Sequence, residues 1–340
     1  MNIILIVFLF LIFTGAKFSQ DCFFENYCAP AQTNAIKGIF AIVIMLCHSI
    51  DYFPMNENDL WLTNFAIYMK QLIVVPILFY SGYGIMESIQ RKGYDYVKSL
   101  PVKHILRTMV WADIAMILFA LYYLVSGINL SVEKFLASLI FWDYIENNTW
   151  YFFVIIILYI ITYVSFSLFR RNKYLAVIAT CIISLVPFWF LIKSRDIFWY
   201  NTFFVYHFGM WFSLLKPHLE KMMMKNNFTY LLSLLFFGTG YAFLHTFGSF
   251  YFFIICCCFF CAFIVCITMK LSINNSFLQF AGKHVFGIYA FQRLPMRMIR
   301  NTQHQTWEKF IISFIATCLL CCVFDYVIMY LDKYLFNRRK

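Results

Sequence analysis

The fold is decided by the stretch Lys37-Gly-Ile-Phe-Ala-Ile-Val-Ile-Met-Leu-Cys-His48, in which a cation and a histidine enclose ten small or apolar residues. In a helix, eleven residues advance about 16 Å, close to half of the roughly 30 Å hydrocarbon core of a bilayer. Because eleven residues also make about three turns, Lys37 and His48 lie on one helix face. The pattern predicts an anion-binding mouth at Lys37 and a chemical centre at His48. The alternative is a core histidine that bonds to a neighbouring helix.

The composition places this stretch in a membrane protein. Of the 340 residues, 63% are hydrophobic and 13% are charged, and the mean hydropathy is +0.74, whereas soluble chains are about 25% charged. The net charge of +11 does not predict nucleic-acid binding, because the cations fall in short loops between apolar runs. The cysteines lie mostly inside those runs, with no metal-ligand spacing, so we expect no metal site and no disulfide framework.

The order of the apolar segments predicts an all-α polytopic membrane protein with about eleven transmembrane helices. No loop is long enough for a soluble domain, and we find no repeat and no linker. Residues 1–340 are therefore expected to form a single membrane-embedded domain. The predicted segments are 3–16, 35–53, 62–86, 103–126, 148–169, 174–192, 197–215, 228–245, 250–269, 279–299 and 308–331.

The loop cations predict the orientation, since basic loops face the cytoplasm. Basic residues concentrate in the loops at 87–102, 170–173 and 216–227, and in a tail with Lys333, Arg338, Arg339 and Lys340. The C-terminus and the Lys37 end of its helix are then cytoplasmic, the loop at 127–147 is external, and the protein is integral to the plasma (inner) membrane. The first segment lacks a basic start and a clear cleavage site, so we favour a retained helix over a cleaved signal peptide.

Two groups of residues could form an anion-binding site on the cytoplasmic side. Ser81 and Gly82 lie where backbone could approach a ligand closely, although a small-residue contact between helices is the more common meaning of such a run. Lys103, His104 and Arg107 open the next helix with a spacing suited to phosphate groups. The positive-inside rule alone could also produce this second group.

Further polar residues lie near the predicted external side or inside apolar segments. Trp150 and Tyr151, just after Asn148, begin a helix where an aromatic belt is the ordinary explanation. Asp51 follows the histidine by three residues, so its carboxylate could orient the imidazole. Asp113 lies inside an apolar segment and is a second possible supporting carboxylate.

The order of these motifs resembles that of a known family, the integral-membrane acyltransferase-3 family. Lys37 and His48 are similar to its R/K-x10-H signature, and further landmarks follow in the family's order over residues 34 to 331. The resemblance implies a core of ten helices at 34–331, preceded by an extra N-terminal helix and loop at 1–33. The other landmarks are Phe79-Tyr-Ser81-Gly82-Tyr83, Lys103-His104-Ile-Leu-Arg107, Trp150-Tyr151, Phe208-Gly209-Met210 and Gly282-Lys-His-Val-Phe-Gly-Ile288-Tyr289.

The sequence departs from the family pattern at three places. His104 stands where the family's RxxR motif begins, and the serine of the last motif is replaced by His284 or Val285, depending on register. A histidine often follows that motif, but Gln292 occupies its position here, with Arg293 next to it. These departures leave the family's roles at those positions open.

The resemblance implies transfer of an acyl group, most simply acetyl, from cytoplasmic acyl-CoA to a hydroxyl of a cell-surface or lipid-linked glycan. His48 would be the general base or a transient acyl carrier, with Asp51 and Asp113 as possible support. Membrane lipid and a glycan or glycolipid are the expected partners, without nucleic acid or metal. Residues expected at the donor are Lys37, Lys103, His104, Arg107, Ser81 and Gly82, and those at the acceptor are Trp150 and Tyr151.

Two other classes of function remain open from the sequence. A transporter or flippase would use His48 as a proton relay and would show repeats with broken helices in corresponding halves, which we do not detect. A non-catalytic membrane protein of the same fold would retain the motifs without turnover. Acyl transfer by the purified protein, compared with a His48→Ala variant, distinguishes these classes.

Overall fold

The computed structural model describes residues 1–146 and 149–336, with the side chains of residues 58, 70, 335 and 336 left aside. Arg338, Arg339 and Lys340 of the basic tail lie outside these residues, as does Asn148. Almost all of the described chain is helical. The α-helices are α1 Asn2–Phe13, α2 Pro30–Tyr52, α3 Leu60–Met69, α4 Val75–Lys92, α5 Tyr94–Leu100, α6 Arg107–Val125, α7 Val132–Leu139, α8 Thr149–Leu168, α9 Lys173–Ser194, α10 Val205–Met223, α11 Asn227–His245, α12 Phe250–Lys270, α13 Ser276–Lys283, α14 Val285–Phe291, α15 Arg293–Ile299 and α16 Thr306–Leu331.

Shorter elements join these helices. Two strands of two residues, β1 Lys17–Phe18 and β2 Leu271–Ser272, pair antiparallel. Single turns of 3-10 helix lie at Glu57–Asp59, Lys70–Ile73 and Ile197–Trp199, and π-helical turns lie at Pro101–Leu106 and Asp332–Phe336.

Within the described residues, eight helical stretches are long and apolar enough to cross a membrane. This confirms an all-α polytopic membrane protein. Most of these stretches match predicted segments closely, because apolar runs of this length have few alternatives to a spanning helix. The eight are Pro30–Tyr52, Gln71–Lys92, Tyr94–Val125, Thr149–Leu168, Lys173–Ser194, Asn227–His245, Phe250–Lys270 and Thr306–Tyr334.

Three predicted segments are not single helices. The segment 197–215 consists of a 3-10 turn at Ile197–Trp199 and the first part of α10, which begins at Val205. The segment 62–86 is divided into α3, a 3-10 turn and α4, and the segment 279–299 is divided into α13, α14 and α15. The breaks fall at His284 and Gln292, next to Gly282, Gly287 and Pro295. Breaks at this depth are tolerated where the chain is buried in protein, and α14 is largely buried. At the N-terminus, α1 has only 12 residues, fewer than a bilayer core requires.

Two close helix crossings hold the core around α2 and α4. A Cβ atom on Gly38 would lie 2.2 Å from the carbonyl oxygen of Leu278, so α2 and α13 touch through their backbones. A Cβ atom on Gly82 would lie 1.9 Å from the carbonyl oxygen of Tyr206, so α4 and α10 touch in the same way. Small residues permit this close approach, which fixes the two helices that position the site.

Residues before α2 pack against both ends of the bundle. The ammonium of Met1 lies 2.7 Å from the carboxylate of Asp59. At the other end of α1, the Asn275 amide donates hydrogen bonds to the carbonyl oxygens of Leu11 and Thr14, at 3.0 and 3.1 Å. The pairing of β1 with β2 follows directly. The N-terminal segment is therefore attached to the core by polar contacts at both of its ends.

Candidate functional site

Lys37 and His48, on the same helix, line two cavities that share one wall. We call them the Lys37 cavity, of about 170 Å³, and the His48 cavity, of about 280 Å³. Tyr289 of α14 lines both, and of two adjacent residues at the start of α8, Trp150 lines the His48 cavity and Tyr151 the Lys37 cavity. The two cavities therefore lie one above the other along α2, as the spacing of the two titratable side chains predicts.

His48 lies between a guanidinium and a carboxylate. The Nη2 atom of Arg293, on α15, lies 3.2 Å from the Nδ1 atom of His48. A carboxylate oxygen of Asp51 lies 4.0 Å from the same Nδ1 and 3.8 Å from Arg293 Nη2. Because a guanidinium can only donate, Nδ1 accepts this bond, and the neutral ring then carries its proton on Nε2. Arg293 and Asp51 thus compete for the same ring nitrogen and favour opposite tautomers.

The remaining walls of the His48 cavity are aromatic, with a few polar groups. Trp150 is 5% exposed, and its indole faces the cavity together with the ring of Phe198. Gln71 contributes an amide and Thr149 a hydroxyl. Apolar faces with a small number of placed polar groups are typical of sites for small organic ligands.

The Lys37 cavity contains one cation among hydroxyl groups. Ser81 donates a hydrogen bond to the carbonyl oxygen of Ile77 at 2.8 Å, and Tyr151 and Tyr159 both interact with Ser81. None of the described residues that line this cavity is acidic, and Lys37 belongs to none of the ion pairs found among the described residues. A half-buried cation without a carboxylate partner is suited to an anionic ligand.

The comparison with known proteins identifies the family of the chain. A family model described as an acyltransferase domain matches residues 31–326. The chain belongs to the acyltransferase-3 family. No curated protein and no solved structure matches the chain. The roles of individual residues in this acyltransferase-3 protein are therefore inferred from its own geometry.

The predicted donor cations other than Lys37 lie outside the lining of both cavities. Lys103 is exposed. His104 Nε2 lies 2.9 Å from the hydroxyl of Tyr96, and its ring is 5.3 Å from that of Tyr159, behind the wall of the Lys37 cavity. Arg107 Nε lies 3.2 Å from a carboxylate oxygen of Asp332. The π-helical turn at Pro101–Leu106 rotates this segment just before α6, and of this region Thr108 reaches the cavity.

Four other predicted residues lie in different surroundings. Ser81 lines the Lys37 cavity, but the neighbouring Gly82 lies at the backbone contact with Tyr206 and not at a cavity. Asp113 lines neither of the two cavities, and its buried Oδ1 has no hydrogen-bond partner among the described residues. Asp51 is 62% exposed on its side chain and lies beside His48.

The most important residue that the sequence analysis did not place is Arg293. In the sequence, Gln292 and Arg293 stand out only as a departure from the family pattern. A signal existed, because an arginine inside an apolar segment marks a functional site by default. Arg293 also follows Tyr289 by four residues, which is about one helical turn.

Proposed function

We propose that the protein is a membrane acyltransferase that moves an acyl group, most simply acetyl, from cytoplasmic acyl-CoA to a hydroxyl of a cell-surface or lipid-linked glycan. His48 stands at the reaction centre. One observation carries the proposal: a single helix presents Lys37 to one cavity and His48 to another, and the two cavities meet at Tyr289. Two substrates that approach from opposite sides would meet at this ring.

The Lys37 cavity suits the donor. Its cation has no carboxylate among the lining residues, so a phosphate or a polarised carbonyl oxygen can take that place. The hydroxyl group of Thr108 adds a neutral donor on the same walls, whereas the Ser81 hydroxyl already donates to the Ile77 carbonyl oxygen. On the predicted topology this cavity lies toward the cytoplasm, where acyl-CoA is found.

The His48 cavity suits the acceptor. Its aromatic walls can cover the apolar face of a sugar ring, while Gln71 and Thr149 offer hydrogen bonds to hydroxyl groups. Trp150 of the predicted acceptor pair lies in this cavity, whereas Tyr151 lies in the other. The acceptor site therefore uses Trp150, and Tyr151 contributes to the donor side.

The chemistry requires one proton to move. The acceptor oxygen bonds to the acyl carbon, the carbon–sulfur bond breaks, and the hydroxyl proton passes through His48 to the departing sulfur. While Arg293 donates to Nδ1, the ring proton occupies Nε2, and the neutral ring has no free nitrogen to act as a base. In the other tautomer the proton lies on Nδ1, which donates a hydrogen bond to Asp51 in place of accepting one from Arg293, and the lone pair on Nε2 can then act as the base.

The test compares surface glycans and donor turnover in parallel. Mass spectrometry of glycans from cells with and without the protein should show an added acyl mass only in its presence. Purified protein should release free coenzyme A from acetyl-CoA when that glycan is added. If coenzyme A is not released with any acceptor fraction, and the glycans are identical, the proposal is wrong.

A further inference from the structure

A basic cleft of about 440 Å³ lies at the ends of α4, α5, α8 and α9. Three cations line it, namely Arg170, Arg171 and Lys173, and none of the described residues that line it is acidic. Tyr94 and Tyr174 supply aromatic rings. The volume lies within the range of small-ligand pockets.

The cations of the basic cleft have no carboxylate partner in the part of the chain that the structure describes. The guanidinium of Arg170 lies 4.1 Å from the centre of the Tyr94 ring, and the ammonium of Lys173 donates to the side-chain oxygen of Gln90 at 2.8 Å. No ion pair among the described residues includes any of the three. The positive-inside rule explains cations on this side of the membrane, but it does not explain their convergence on one cleft without counter-charges.

The basic cleft follows the other two cavities along the same helices. On α8, Trp150 lines the His48 cavity, Tyr159 the Lys37 cavity and Phe166 the basic cleft. On α4, Ile77 lines the Lys37 cavity and Gln90 the basic cleft. From Trp150 to Phe166 the helix rises about 24 Å, so the three spaces are stacked in the order acceptor, donor, basic cleft.

From this stacking we infer that the basic cleft binds the nucleotide end of the acyl-CoA donor, an inference that rests on the proposed function. The phosphates contact Arg171 and Lys173 through charge-assisted hydrogen bonds. The adenine ring lies against an aromatic ring or the Arg170 guanidinium, as bases do on such surfaces. The flexible arm of the donor then extends toward the Lys37 cavity with the thioester at its tip.

The experiment compares two donors that differ only in the nucleotide. Acetyl-CoA carries it, and acetyl-pantetheine lacks it. Arg171→Gln should raise the KM for acetyl-CoA about fivefold and leave the kinetics with acetyl-pantetheine unchanged. We choose Arg171 for the substitution because it makes no hydrogen bond or ion pair with any described residue, so its replacement should not disturb the fold. Lys225→Gln, an exposed cation on the same predicted side, is the matched control and should change neither donor.

The outcomes separate this inference from the proposed function. If the wild type transfers acetyl from both donors and Arg171→Gln affects them equally or not at all, the cleft does not bind the nucleotide. If neither donor supports transfer, the proposed function is wrong. Calorimetry of coenzyme A binding then tests the cleft separately: weaker binding to Arg171→Gln than to the wild type supports it, and equal binding contradicts it. The same kinetics are measured in neutral phosphatidylcholine nanodiscs and in anionic phosphatidylglycerol nanodiscs. If Arg171→Gln raises the KM for acetyl-CoA only in the anionic lipid, the cleft binds a lipid headgroup and the inference is wrong.

Discussion

The two ends of α2 place their titratable side chains in very different surroundings. His48 has a guanidinium and a carboxylate within 4.0 Å of one ring nitrogen. Lys37 lies among hydroxyl groups and aromatic rings, and none of the described residues that line its cavity is acidic. The charged groups at His48 contact one another, whereas the described groups around Lys37 are neutral. On the proposed function, the His48 end of the helix would serve the chemistry and the Lys37 end would bind the donor.

The largest effect should follow from removing the imidazole. His48→Ala is expected to lower the rate of acyl transfer by about 10²- to 10⁴-fold, the usual contribution of a positioned general base. The amount of protein in the membrane should stay near normal, because one side chain is a small part of the packed bundle. Initial rates with labelled acetyl-CoA and immunoblots of membranes measure both, and His304→Ala, at an exposed loop position, is the control. Retained activity would make His48 structural.

A comparison of two neighbouring glycines tests the wall behind the Lys37 cavity. Gly82→Ala should destabilise the protein by about 1–3 kcal/mol, because its Cβ would meet the Tyr206 carbonyl at 1.9 Å. Gly84→Ala should be tolerated, since a Cβ there meets nothing within 4 Å. Thermal unfolding followed by size-exclusion chromatography gives the difference in Tm. If Gly82→Ala and Gly84→Ala have equal Tm values and Gly82→Ala raises the donor KM, Gly82 belongs to the donor site and not to a structural contact.

Arg293 tests whether the charged network at His48 supports turnover. Arg293→Gln should lower kcat about tenfold, with a smaller change in donor KM, because the guanidinium lines the His48 cavity and, once Nδ1 donates to Asp51, can stabilise the negative charge that develops on the acyl oxygen. The pH profile of kcat should shift as well, because the guanidinium no longer selects the ring tautomer. Arg300→Gln, an exposed arginine nearby, serves as the control. An unchanged kcat and pH profile would show that the contact is incidental.

Lys37 tests the binding end of the same helix. Lys37→Ala should raise the KM for acetyl-CoA about fivefold with little effect on kcat, and Lys37→Arg should retain most function, because the cavity needs a cation at that depth. Steady-state kinetics with the donor and the acceptor varied in turn separate the two substrates. A rise in acceptor KM with donor KM unchanged would assign this cation to the other substrate.

The smallest effect is expected at Asp51. Its side chain is 62% exposed and its nearest oxygen is 4.0 Å from the ring, so its interaction is screened by solvent. Asp51→Asn should lower kcat only about two- to threefold. If the loss equals that of His48→Ala, the carboxylate is essential to the base and the network depends on it more than on Arg293.

The sequence predicts the fold class and the shared face of Lys37 and His48, because apolar length and helical period are local properties. It does not predict the division of the segment 279–299 into three helices. The first of the three, α13, crosses α2 in direct backbone contact at Gly38 and Gly282, which are far apart in sequence.

Contacts between distant segments also explain why some candidate residues lie outside the predicted site. Arg107 has the spacing of a phosphate ligand, yet its partner in the structure is Asp332, more than two hundred residues away. Arg293 and His48 are likewise separated by 245 residues. Spacing identifies side chains on one helix face, but only the packing of distant segments decides which charges meet.

The attachment of the N-terminal segment has a practical consequence. The family match begins at residue 31, yet β1 pairs with β2, Asn275 holds the end of α1, and Met1 contacts Asp59. The part of the chain that folds together is larger than the part that the family shares. A fragment that begins at residue 31 would lack β1, the pairing partner of β2, and the ammonium that contacts the Asp59 carboxylate. It would also expose apolar side chains of the core that pack against α1. Expression vectors and fusion tags should therefore keep residues 1–30 joined to the rest.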